Sequence, residues 1–345
     1  MAELVLQILP FDAEDTPMTE FSAYDRIVRQ GTLSEPDGNP DPQFALPSTV
    51  NWMRALALLV SDAKLSFTDA AKTYSGVQKR QMKVHEENTI FEQMIFAAHQ
   101  LSALEAMQKV PRSADVARVG IITWYYGIYS AASAMVVAQD GSFQDDHTGT
   151  ASCWDQQIAA RGFAVSPFAL RVSSLVKTES SAQIALFPGR DVSTALTTTP
   201  LTVDDAHSAC RSYLRGSVAW WGWRAEESLR ASKEFKSLGV QNFRTKAARE
   251  LRDTRLRSRS LCFMHQAFRY RGKANYREAL FLGYGKAVET ILSDYIENLS
   301  IVLRGFVAAA GAFSARRMGP ALWNEFVSDL EAKRAFTLSP SDLWS

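Results

Sequence analysis

Residues 113–139 read SADVARVGIITWYYGIYSAASAMVVAQ, and the fold class turns on them. Asp140-Gly141 closes the run. An alanine-rich apolar stretch ended by a turn pair predicts one long helix. Its most apolar part, Val119 to Ala138, falls short of the roughly 18 uncharged apolar residues of a membrane span. Thr123, Ser130, Ser133 and three tyrosines interrupt it. The expectation is a soluble, cytoplasmic protein with no membrane contact.

Working outward, the same class recurs. A helix starts near Pro47-Ser48-Thr49 and runs through Leu59, with Ser48 or Thr49 as its cap. Further helices are expected over about 67–109, 204–233, 241–270, 274–304 and 317–335. In 274–304, Tyr284, Val288, Ile291, Tyr295, Leu299 and Val302 recur at steps of three and four, which predicts one amphipathic face. The segment 140–200 differs. Residues 169–172 and 182–189 could pair as a short hairpin or stay irregular, and five threonines between Thr194 and Thr202 disfavour helix. The fold class is therefore mainly α: helical bundles with an irregular or small-β insertion around 140–200. Three parts are expected: an acidic extension 1–48, a helical unit 49–240 and a helical unit 241–345.

The chain has 345 residues, 46% hydrophobic and 22% charged. That is ordinary globular composition and excludes a disordered or fibrous chain. MAELVLQILP has no basic start, and Asp12, Glu14 and Asp15 follow it, so no secretory signal is expected. Cys153, Cys210 and Cys262 are far apart, and the five histidines are scattered. Neither set has metal-ligand spacing, so no metal is expected, and the cysteines read as reduced, packed thiols. Asp145 and Asp146 read as a surface turn.

The net charge of +1 hides an asymmetry. Residues 1–48 hold nine acids against Arg26 and Arg29, a net of −7. Residues 244–277 hold eleven bases against Glu250 and Asp253, a net of +9. The bases are Arg244, Lys246, Arg249, Arg252, Arg255, Arg257, Arg259, Arg269, Arg271, Lys273 and Arg277. Arginine forks suit phosphate, and a field of this sign attracts a polyanion. The alternative is a solvated face, or pairing with acids elsewhere, including the N-terminal ones. Tyr213, Trp220, Trp221 and Trp223 could stack on a ligand. Tyr213, Trp220 and Trp223 share a helical face, and core packing is the preferred reading.

The segment Trp124-Tyr125-Tyr126-Gly127-Ile128-Tyr129-Ser130-Ala131-Ala132-Ser133-Ala134, then Gln139-Asp140-Gly141 and Asp146-His147-Thr148-Gly149-Thr150, resembles the HEPN superfamily. These are helical domains of prokaryotic toxin–antitoxin, antiphage and CRISPR systems. Catalytic members place an Arg and a His on one helix for metal-independent RNA cleavage. Those positions fall on Thr123 and Ser130 here, and neither can do that chemistry. The resemblance thus implies an inactive copy, with His147 a turn or surface histidine. The stretch from Arg271 to Tyr284 is loosely similar to the same helix.

Arg259 and His265 do form an Arg–His pair, with five residues between them. On one helix, six steps of about 100° would set the side chains about 120° apart. His265 could then take a 2′-OH proton while Arg259 holds the phosphate. The intervening Leu261, Cys262, Phe263 and Met264 suit instead a buried histidine with one satisfied nitrogen. Phosphate loops, GxGxxG and the GxSxG elbow are all missing, and no cofactor is expected. Three functions stay open. The first is a non-catalytic HEPN-like subunit that binds nucleic acid or a partner subunit (a homodimer included) through the basic stripe. The second is a ribonuclease using Arg259 and His265. The third is a helical scaffold with no nucleic-acid role.

Overall fold

Apolar residues go all round the predicted helix of residues 113–139, and such a helix must sit inside its neighbours. The computed structural model places it there. It describes Ala23, Arg26, Ile27, residues 42–285 and residues 288–345, with the side chains of Pro42, Gln43 and Arg277 outside the described residues. The acidic residues 1–41 lie outside them too, apart from those three positions. The first half supplies α1 (Pro42–Asp62), α2 (Phe67–Thr73), α3 (Val84–Met107), α4 (Ser113–Asp140), α5 (His147–Trp154) and α6 (Lys177–Ala185). Then come α7 (Val203–Arg230), α8 (Lys233–Ser237), α9 (Lys246–Arg257) and α10 (Phe263–Asn275). Last are α11 (Val288–Ile291), α12 (Tyr295–Met318), α13 (Pro320–Lys333) and α14 (Pro340–Trp344). No strand or sheet occurs among the described residues, and the class is mainly α.

α4 packs against α3, α12, α10 and α5. By length and hydropathy, Ser113–Asp140 and Val288–Met318 could each cross a membrane, but 83% of each apolar window is buried inside the fold. Glycines let α12 approach α4. A Cβ on Gly120 would lie 2.8 Å from Ile296 Cδ1, and one on Gly127 2.6 Å from Leu303 Cδ2 and 3.2 Å from Gln100 Cβ. At its C-terminus α4 leaves carbonyls without helical partners. Arg80 donates to the Val137 and Ala138 carbonyls, and Arg317 to those of Ala138 and Gln139. Two cations therefore meet the negative end of the helix dipole. Gly141, at φ +83°, turns the chain away.

An aromatic node joins the remaining helices. Trp52 of α1 stacks on Tyr213 of α7 at 3.9 Å and touches Trp124 of α4 and Tyr270 of α10. Tyr270 Oη donates to the Thr49 carbonyl and meets Tyr295 Oη of α12. Helices from both sides of residue 240 thus share one core, and Pro40–Ser345 is one compact unit. The division at 240/241 does not separate two such units, and α1 already begins at Pro42.

Several expected helices are shorter than their patterns. The 67–109 stretch breaks after Gly76, because Arg80 is drawn to the end of α4 and its N–H bonds the Arg317 carbonyl. The single face from Tyr284 to Val302 does not form. A 3₁₀ turn (Arg277–Leu282), Gly285 at φ +141° and the short α11 precede α12, and Tyr284 is exposed. This also cuts the Arg271–Tyr284 likeness, since α10 ends at Asn275. The hairpin is absent: residues 177–185 form α6, and Val172 makes a lone antiparallel bridge to Leu261.

Gly127→Ala should lower stability by about 1–3 kcal/mol, because overpacking at Leu303 and Gln100 outweighs the gain in helix propensity. Gly222→Ala, inside α7 with nothing within 4 Å of the added carbon, should instead raise it by up to about 1 kcal/mol. Urea midpoints of the two variants, shifting in opposite directions, check the reading.

Candidate functional site

The insertion and the α9–α10 connection close on each other through one buried carboxylate. Asp155 is 1% exposed and begins a π-helical turn, Asp155–Ala159, directly after α5. Arg171 grips it with Nε at 2.8 Å and Nη2 at 2.9 Å, and Ser260 Oγ donates to it at 2.6 Å. Beside this clamp the Val172–Leu261 bridge ties the two segments by both backbone bonds. α9 therefore stops at Arg257, and residues 258–262 run as a connection rather than as helix.

That connection corrects the one-helix geometry expected for Arg259 and His265. Arg259 lies between the helices and His265 at the third position of α10. They still come together, because both line a cavity of about 340 Å³. Thr148 and Ser152 of α5 and Gln156 of the π turn, four residues apart, form a wall of it. Ser258 and Ser260 belong to the connection, and Trp221 and Leu175 are its apolar members.

Arg259 is the cavity's single charged lining residue. It makes no ion pair or side-chain hydrogen bond among the described residues. Burial, then neighbouring Arg255, holds its guanidinium below its usual value, and it stays a cation. His265 is committed at one nitrogen. Its Nδ1 accepts the Cys262 N–H at 3.4 Å and lies 3.2 Å from Cys262 Sγ, closing a capping box. The neutral ring then carries its proton on Nε2. Burial pushes its pKa down to about 4; Asp155 pulls it partly back, and Arg171 adds to the fall. At neutral pH the ring is a donor and a weak base. The buried-histidine reading with one satisfied nitrogen fits this geometry.

The basic stripe disperses. Lys273 is buried on Glu278 at 2.6 Å, Arg257 pairs with Glu179 and Arg252 with Asp253, both at 2.8 Å. Arg269 donates to Ser217 Oγ and lies over the Tyr213 and Trp220 rings. Arg271 donates to His147 Nε2 at 2.9 Å and lies over Tyr125 and Phe268. Lys246 makes a 3.9 Å contact to Glu250 at the surface. Arg244, Arg249 and Arg255 are exposed and make no ion pair among the described residues. Arg277's side chain lies outside the described residues.

The HEPN-like positions fall elsewhere. Thr123 and Ser130 are buried in α4. His147 is not a bare turn residue: its ring sits against Tyr125, Tyr126 and Tyr129, and burial, then Arg271, lowers its pKa. Asp146 caps α5 through the Thr148 and Gly149 amides. Among the described residues no group of three or more His, Cys, Asp or Glu could hold a metal. The core reading of the aromatic cluster holds for Tyr213 and fails for Trp223, which is 47% exposed. Sequence reasoning did not pick out Asp155, Arg171 or Gln156. The four-residue spacing Thr148, Ser152, Gln156 was the available signal; nothing local pairs Asp155 with Arg171.

His265 gives a pH test. Its unfolded pKa is about 6.5, so above that both states are neutral and stability is full. As pH falls from about 6.5 to about 4, the unfolded chain takes up the proton first. Stability then drops by up to about 3 kcal/mol from this residue. His265→Gln, which can still close the capping box, should show a smaller loss in urea midpoint between pH 7 and pH 4 than wild type. Parallel curves would contradict the assignment.

No known protein family, curated protein or solved structure matches this chain.

Proposed function

We propose that the protein is a non-catalytic, HEPN-like helical subunit that binds nucleic acid along α9. The observation that carries this is the set of exposed cations Arg244, Arg249 and Arg255, which form no ion pair among the described residues, Glu234 acting on Arg255 only from a distance. Lys246 adds a fourth charge, only weakly engaged. Intramolecular contacts engage Arg252, Arg257, Arg269, Arg271 and Lys273, and Arg259 lines the cavity, so among the described residues these four are the cations open to a polyanion on and beside α9. The setting is a cytoplasmic defence or toxin–antitoxin assembly of a prokaryote, with a partner subunit or second copy. That setting rests on the resemblance around Trp124–Thr150 alone.

The ribonuclease reading has one observation in its favour, the shared cavity of Arg259 and His265. The chemistry weighs against it. A general base needs a free, basic nitrogen. Nδ1 of His265 is occupied by the cap, and its pKa is about 4. Thr123 and Ser130 supply no replacement.

Single-stranded RNA and DNA binding, followed by anisotropy across a salt series, tests the proposal. Arg244→Glu, Arg249→Glu and Arg255→Glu combined should weaken binding more than tenfold at low salt. They should also flatten the slope of log K against log salt by about 2, at about 0.7 per lost phosphate contact. Wild-type affinity no better than that of a neutral control protein would end the nucleic-acid reading. RNA cleavage by wild type that His265→Ala abolishes would replace it with the nuclease.

A further inference from the structure

The cavity beside α9 has an unbalanced set of groups. Its donors include the Arg259 guanidinium and the Nε2–H of His265. The exposed Gln156 amide makes no hydrogen bond among the described residues, whereas Trp221 Nε1 is buried away from the space and is not one of its donors. The hydroxyl protons are spent: Ser152 donates to the Thr148 carbonyl, Ser258 to the Arg255 carbonyl and Ser260 to Asp155. No carboxylate lines the space, and the nearby Asp155 is neutralised by Arg171. One uncompensated cation among unused donors calls for an oxyanion. The indole of Trp221, perpendicular to the His265 ring at 5.7 Å, adds an aromatic wall for a planar group. At about 340 Å³ the space lies at the small end of ligand pockets.

We propose that this cavity binds a phosphate monoester attached to a nucleobase, with Arg259 and His265 Nε2–H on the phosphate and Trp221 against the base. Two sources share that chemistry: a free nucleoside monophosphate, and the terminal phosphate of a strand lying along α9. Only the second rests on the nucleic-acid reading above. His265 acts here as a donor, so no bond is made or broken.

Calorimetric titration of the full chain with AMP, and with adenosine as the phosphate-free control, tests the site. Wild type should bind AMP and not adenosine. Arg259→Gln should lose at least about tenfold in affinity, the scale of one charge-assisted contact. Gln156→Leu, on the opposite element, should lose affinity as well, with both variants keeping the wild-type melting temperature without ligand. Lys333→Gln, on α13 and outside both the cavity lining and the α9 cations, should bind AMP normally. A 5′-phosphorylated RNA that binds better than its 5′-hydroxyl twin, with the preference lost in Arg259→Gln, identifies the strand end as the source. AMP binding without such a preference identifies the free nucleotide. Wild type that ignores AMP, or Arg259→Gln that binds it equally, overturns the inference. If AMP binds while no oligonucleotide does, the nucleic-acid reading fails and the site stands.

Discussion

The close approach of α4 and α12 is the constraint on which the fold depends. Gly120 and Gly127 sit seven residues apart on α4, where Ile296, Leu299 and Leu303 press into the space a side chain would fill. A helix this apolar on every side has no stable position at a surface. Its burial fixes α3, α10 and α5 around it. It also obliges the chain to satisfy the α4 terminus from a distance, through Arg80 and Arg317. The extended run between α2 and α3 follows from that obligation, since Arg80 must reach the Val137 and Ala138 carbonyls.

The site is built at the edge of this core, where packing is least repetitive. Tyr270 anchors α10 to α1 and α12 through its hydroxyl. Seven residues earlier, Phe263 starts the helix inside the same aromatic node. The beginning of α10 is therefore rigid, and so is His265. On the other side, Asp155 is buried but doubly held by Arg171 and further bound by Ser260. A buried carboxylate is tolerable only with such satisfaction. The clamp is better understood as setting geometry than as adding stability: it fixes the connection that carries Arg259 against α5.

The helical class was legible because its signal is periodic and local, as Ser113–Asp140 illustrates. Helix ends were less so. Patterning alone cannot reveal that Arg80 is needed at α4, or that Leu261 pairs with Val172 across the insertion. The same limit governed the site. Arg259 and His265 were singled out from their spacing on a presumed helix, yet the fold brings them together by breaking that helix. The stripe was legible as charge but not as exposure. Lys273 and Arg271 lie in the same run as Arg249 and Arg255, and only tertiary contacts separate buried, paired cations from open ones. Trp221 was grouped with its neighbours, although on α7 consecutive positions face different surroundings.

What distinguishes the cavity is the contrast between its two arginines. Arg171 and Arg259 both lie near His265, and the chain supplies an acid to one and none to the other. Leaving a half-buried guanidinium without a partner is unfavourable. The fold does so beside a histidine whose Nδ1 is tied to its own cap, which leaves Nε2–H as a second donor. A general base would need the reverse arrangement, with a proton-free nitrogen facing the substrate. Two donors, one of them a permanent cation, beside an aromatic wall are the requirements for holding an anion in place. The geometry is therefore that of recognition, and the deficit at Arg259 is the charge a bound oxyanion would complete.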